Sequence, residues 1–169
     1  GADGVGLYRT ELPFLSHRDF LTEEEQFDLY ERLVRGMDGR PVTFRTLDLG
    51  ADKYPRYLNM PREENPFLGW RSIRISLEMP TIFKAQLRAI LRAGATGRVR
   101  LLFPMIWSVE EIRRVKELLE EARQELDEAG LSYETEKKIL VPYKDWKIDG
   151  HKVDLIIEGV VVVELKAIP

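Results

Sequence analysis

Gly4-Val-Gly-Leu-Tyr-Arg-Thr-Glu11 is a short apolar run that ends on an arginine and, two residues later, a carboxylate. Val5 to Tyr8 reads as a buried strand, which leaves Arg9 at its end. Pro41-Val-Thr-Phe-Arg-Thr-Leu47 reads as a second strand with β-branched residues, and its arginine, Arg45, opens the group Arg45-Thr-Leu-Asp48. A third segment, Glu64-Asn-Pro-Phe-Leu-Gly-Trp-Arg71, again ends on arginine. Guanidinium is always charged and offers a planar fork of donors, so arginines following buried strands suit an anion.

The segments between these groups alternate. Thr22-Glu-Glu-Glu25 has the capping-box pattern, and Phe27, Tyr30, Leu33 and Val34 recur at helical spacing up to Gly36. A loop rich in Pro, Asn and charge follows Lys53 and leads to a helix-like apolar run from Phe67 to Leu77. Pro80 starts another helix, with Ile82, Phe83, Leu87, Ile90 and Leu91 inward, ending near Gly94 and Gly97. Arg98-Val-Arg-Leu-Leu-Phe-Pro104 is a third strand, and Ser108 caps a long helix through Ala129 with acidic and basic residues at i,i+4 spacing. Strand, helix, strand, helices, strand, helix is the order that builds parallel sheets and barrels. The tail differs: Lys138–Tyr143, Lys152–Ile157 and Val160–Leu165 read as strands split by turns at Asp149-Gly150 and Glu158-Gly159, a spacing of antiparallel hairpins.

With 169 residues the chain can bury a core but is too short for a whole (β/α)8 barrel, which takes ~250. A formal net charge of -3 with both signs mixed gives no bulk basicity for nucleic acid or anionic membrane, so an anion site must be local. The absence of cysteine removes disulfides, thiolate metal sites and a thiol nucleophile, and fits a cytoplasmic location. No signal peptide and no apolar stretch of ~18 residues is present, so no membrane is expected. The first residue is Gly, which fits a piece cut from something longer.

The three arginine segments, in this order and spacing, resemble the phosphoenolpyruvate-binding barrel domain of phosphoenolpyruvate-protein phosphotransferase (enzyme I) of the bacterial sugar phosphotransferase system. They resemble pyruvate phosphate dikinase and phosphoenolpyruvate synthase more distantly. The resemblance covers residues 1–130 and implies an α/β fold, a partial (β/α)8 (TIM-type) barrel unit. It implies a cytoplasmic transferase fragment that grips the phosphate and carboxylate of phosphoenolpyruvate. Arg9 and Arg45 are expected to bind substrate; on the residues alone, structural ion pairs with Glu11 and Asp48 are the competing reading. Arg71 stands where the family has an arginine near the reacting phosphoryl group, against the alternative of an exposed helical arginine. Lys53, in Gly-Ala-Asp-Lys, is similar to the family's Gly-Gly-Asp-Lys and is a further substrate contact. Asn65 with Pro66 reads as a loop-shaping pair, and His17 and His151 as isolated surface residues.

The resemblance also implies Mg2+, but the family holds magnesium with a glutamate and an aspartate on later strands and protonates the enol carbon with a cysteine. This chain has none of those, nor the domain with the phosphorylated histidine. It is expected to be inactive alone, with a phosphocarrier protein as partner only in a full-length enzyme. An open set of three barrel-type strands leaves edges and apolar faces, from which a homo-oligomer is expected.

Residues 131–169 resemble a truncated PD-(D/E)xK nuclease-like β hairpin segment of the GxxExxY type, on Asp154, Glu164 and Lys166 and on flanking residues such as Val141-Pro-Tyr-Lys144. Glu164 and Lys166 share a strand face, and two carboxylates with a lysine can hold a divalent cation and orient a water. The bland reading is an edge hairpin whose charges suppress sticking. The alternative function is accordingly a nuclease-like nucleic-acid module.

Overall fold

The computed structural model describes residues 2–17, 19–50 and 72–131, with the backbone of four short strands between residues 141 and 163. The sequence folds into β1 (Val5–Arg9), α1 (Glu11–Ser16), α2 (Glu23–Gly36), β2 (Val42–Arg45), α3 (Ile73–Glu78), α4 (Pro80–Gly94), β3 (Val99–Leu102) and α5 (Val109–Glu128). β1 pairs parallel with β2, and β2 parallel with β3. Parallel neighbours need a crossover, and helices between the strands supply it. The result is a mixed α/β fold around a three-strand parallel sheet.

The two long amphipathic helices begin where the sequence places them, because both caps are local. Thr22 accepts from the Glu25 N–H while Glu25 reaches back to the Thr22 N–H, and Ser108 and Glu111 repeat the arrangement at α5. Tyr30 and Val34 of α2, Val42 and Phe44 of β2, Leu87 and Ile90 of α4, and Leu118 and Ala122 of α5 then meet in one core. Among β1, β2 and β3, β2 is the most buried, with Val42, Thr43 and Phe44 enclosed, while β1, paired on one side, keeps Leu7 exposed. Gly94, which reads in the sequence as a helix stop, is required for contact: a Cβ there would stand 2.9 Å from Val99 Cγ2. The apolar helix expected from Phe67 begins, among the described residues, only at Ile73, because Ser72 adopts φ 52°. A residue there cannot continue a right-handed helix.

The charges of α5 also pair with another helix. Glu125 and Glu121 accept Lys84 Nζ at 2.5 Å and 3.3 Å, and Glu125 also meets Arg88. Glu23 of α2 takes Arg88 and Arg92 at 2.6 Å and 2.9 Å, so α4 is tied by its cations to the helices on either side.

In the tail, β4 (Val141–Tyr143) pairs antiparallel with β5 (Trp146–Ile148). The sequence reading had no strand at Trp146–Ile148, because three residues are too few to display a period of two. β6 (Leu155–Ile157) pairs antiparallel with β7 (Val161–Val163), and Leu101 of β3 lies opposite Val161 in parallel. Among the described residues no helix is long and apolar enough to cross a membrane.

Candidate anion-binding site

Arg9 and Arg45 are the last residues of neighbouring parallel strands and are direct register partners. Partners across a ladder share a sheet face, so both guanidinium groups leave the sheet on the same side. That pairing depends on an irregularity. Val5 faces Val42, but Tyr8 faces Phe44, so β1 contains one residue more than β2 over the interval. Without this extra residue Arg9 would stand opposite Thr46, and a one-residue slip turns a side chain to the other face.

The two arginines meet on one carboxylate. Glu11 Oε1 accepts from Arg9 Nε at 2.8 Å and from Arg45 Nη2 at 2.5 Å. Arg45 Nη1 also reaches Asp48 Oδ2 at 3.0 Å. Glu11 is 1% exposed, Arg45 17% and Arg9 46%, so Arg45 is the enclosed member of the pair and Arg9 faces solvent. The two arginines converge on Glu11, and the ion pairs with Glu11 and Asp48 that form the competing reading are present. The four side chains bring two positive and two negative charges together, so this cluster alone carries no net charge to attract an anion.

The floor of the site is a buried hydrogen-bond chain that joins the strand ends to α2 and α4. Thr10 Oγ1 donates to the Arg45 carbonyl at 2.8 Å and accepts from Gln86 Nε2 at 3.2 Å. Gln86, on α4 and 1% exposed, also donates to Tyr30 Oη at 3.3 Å and accepts from the Leu47 N–H at 2.9 Å. Tyr30 donates in turn to Gln26 at 3.2 Å. Burial pushes the Tyr30 hydroxyl far above its ordinary pKa, which keeps it a neutral donor. One helix thereby grips the chain just after β1 and just after β2, where the arginines emerge.

Ser72 closes the site on the side of Asp48. Its hydroxyl donates to Asp48 and its N–H donates to the Leu49 carbonyl at 2.6 Å, while its backbone takes the left-handed region at φ 52°. A non-glycine residue held there is strained and persists only when its surroundings over-determine it. Thr10, Ser72 and Gln86 were all missed by sequence reasoning. A polar residue on the apolar face of α4 was the one available signal, at Gln86.

Lys53, Arg71, Asn65 and Pro66 lie outside the described residues, as do Asp154, Glu164, Lys166 and His151. His17 is exposed, its Nδ1 2.7 Å from the Pro13 carbonyl. A small, mostly apolar cavity lined by Phe14, Phe20, Leu47, Ile75, Met79 and Phe83, with Ser76 and Gln86 also in its wall, is bordered by neither Arg9 nor Arg45. The described residues do not fit a magnesium ion. No three of His, Cys, Asp or Glu gather among them, and the carboxylates nearest the arginines are engaged by guanidinium groups.

Comparison with known proteins bears on both parts of the chain. Residues 118–169 match the PD-(D/E)XK nuclease superfamily, and residues 1–141 match the PEP-binding domain of PEP-utilising enzymes, so residues 118–141 are shared by the two matches. Phosphoenolpyruvate-protein phosphotransferase of Haemophilus influenzae is 53% identical over 130 residues, 77% of this chain and 23% of that protein. The proteins of the same name from Priestia megaterium and Buchnera aphidicola are 50% and 49% identical over 131 and 139 residues, which are 78% and 82% of this chain. The chain spans about a quarter of the length of these curated relatives, 23% to 24%. A match over most of the chain, together with strand-end arginines in register, means that this protein belongs to the PEP-utilising enzymes by way of their PEP-binding domain.

Proposed function

We propose that this chain is a substrate-binding fragment of a phosphoenolpyruvate-protein phosphotransferase, which grips the phosphate and carboxylate of phosphoenolpyruvate with arginines and is inactive alone. The observation that carries this reading is the convergence of Arg9 and Arg45 on Glu11 at the ends of register-paired strands. Active sites of β/α barrels collect at such carboxyl ends. The near-neutral cluster of Arg9, Arg45, Glu11 and Asp48 requires further cations, and Lys53 and Arg71 are the residues for that part, with Arg71 acting on the reacting phosphoryl group. Arg71 is adjacent in sequence to Ser72, which is fastened to Asp48, and successive Cα atoms are about 3.8 Å apart.

Residues 1–130 form a partial (β/α)8 barrel unit in this reading, and residues 131–169 a truncated nuclease-like β hairpin segment. Mg2+ belongs to it as the family's cofactor, held by groups other than those described. The phosphocarrier protein is a partner only of a full-length enzyme, the chain assembles as a homo-oligomer, and its setting is the cytoplasm and sugar transport. The match of residues 118–169 to nucleases keeps a second reading open, a nucleic-acid module with Asp154, Glu164 and Lys166 at a metal site.

Titration of the isotope-labelled chain separates the two. Phosphoenolpyruvate is expected to shift the resonances of Arg9 and Arg45, weakly and less at high salt, since screening falls within about 10 Å at 0.1 M. Arg45→Ala is expected to abolish the shifts. Shifts at Asp154 and Glu164 on adding calcium and duplex DNA, with none at Arg9 or Arg45, would transfer the function to the tail.

A further inference from the structure

We propose that Glu11 is a positioning residue of the anion site, a buried carboxylate that sets the two guanidinium groups relative to each other before any ligand arrives. The inference rests on the reading that Arg9 and Arg45 meet the substrate, and adds a residue that does not itself touch it. A single oxygen, Glu11 Oε1, receives both arginines, and the side chain is 1% exposed. Its other oxygen, Oε2, is buried without a partner among the described residues. Among the described residues, the side-chain contacts of this carboxylate are the two arginines.

The division of labour between the arginines follows from which nitrogens are engaged. Arg45 gives one terminal nitrogen to Glu11 and the other to Asp48, and is largely enclosed. Arg9 gives Nε to Glu11 and is half-exposed, and among the described residues its terminal nitrogens have no ion-pair partner, which leaves them available to a ligand. A fork anchored at Nε and open at its outer edge is the arrangement that receives a phosphate or carboxylate in bidentate fashion. Two adjacent guanidinium groups would otherwise repel and spread over many rotamers, and ordering them would fall on the binding step. Beneath them, Thr10 and Gln86 hold the strand ends by backbone contacts. Glu11 is left to orient the side chains.

The test uses the 169-residue chain with labelled arginine side chains. In the parent protein the Nε–H of Arg9 should exchange slowly with water and the guanidinium groups of both arginines should rotate slowly. Glu11→Gln keeps the shape and removes the charge. It should speed exchange at Arg9, free rotation at both arginines, and weaken binding of phosphoenolpyruvate and of inorganic phosphate by about tenfold, the scale of lost pre-organisation. Far-UV circular dichroism should stay unchanged, and Glu11→Asp should fall between the two. Unchanged arginine dynamics in Glu11→Gln would overturn the proposal, and so would equal or tighter phosphate binding, which would make Glu11 a competitor for the arginines. If the parent protein binds neither probe, the substrate reading fails, and the arginine dynamics still decide whether Glu11 positions the pair. Should Glu11→Gln not fold, Glu11→Asp is judged by the same readouts.

Discussion

Replacing Gln86 with leucine tests whether α4 holds the strand ends. The side chain keeps its approximate volume, so packing around Leu87 and Ile90 is little disturbed, but every hydrogen bond of the hub is lost. The buried Leu47 N–H loses its acceptor at 2.9 Å, and Thr10 and Tyr30 each lose a donor at 3.2 Å and 3.3 Å. An orphaned buried donor costs about 1–3 kcal/mol, and each of the other two bonds contributes about 0.5–1.5 kcal/mol net. Both Thr10 and Tyr30 keep a second partner, so the lower values apply to them, and a better solvated-to-apolar balance of leucine offsets part. The expected loss is about 2–4 kcal/mol. Urea denaturation followed by far-UV circular dichroism should show a lower midpoint at unchanged slope, as for a change in stability alone. A loss below about 0.5 kcal/mol, the range of ordinary surface substitutions, would refute the hub as a structural element.

Arg45→Ala should destabilise the protein more than Arg9→Ala, because it strips the enclosed Glu11 of its shorter contact and leaves Asp48 with Ser72 but no cation. The expected difference is about 1–3 kcal/mol, below the full range for breaking a buried pair because Arg45 is partly exposed; equal midpoints in urea would contradict the geometry. Acid should weaken the α2–α4–α5 network. A hydrogen bond from Lys84 holds the Glu125 carboxyl below its ordinary value of 4.5, and one from Arg92 does the same for Glu24. Carboxylates whose pKa is depressed by folding contribute stability that is complete above the unfolded value and disappears as pH falls through the folded one. Stability should therefore decline below about pH 4.5, less steeply in Glu125→Gln; an identical acid limb in the variant would show the network to be inert.

The long helices α2, α4 and α5 were legible because their causes are local, whereas α1 was not expected and α3 begins at Ile73 rather than at Phe67. Thr22 with Glu25 and Ser108 with Glu111 satisfy one another within a single turn, and apolar residues at helical spacing identify the buried faces of α2 and α4 whatever they pack against. The arginine-ended runs were legible for a similar reason, since a short apolar stretch followed by a cation marks a strand leaving the core. The tail was read less well: short strands have too few residues to show their period, and the strand at Trp146–Ile148 was not expected.

The site itself was decided elsewhere. Sequence alone established which residue types stand at the strand ends, because composition and spacing are properties of the chain. It did not establish that Arg9 faces Arg45, since parallel strands are joined by long crossovers that leave register free, and here one additional residue in β1 sets it. Nor did it disclose the hub, whose partners Thr10 and Gln86 are 76 residues apart and meet only once α4 has packed against the sheet. Ser72 is the same case, a left-handed serine that no propensity predicts and that its bonds to Asp48 and Leu49 hold in place. Hydrogen bonds between distant residues depend on tertiary packing, so only the folded protein could show that two arginines share one buried carboxylate.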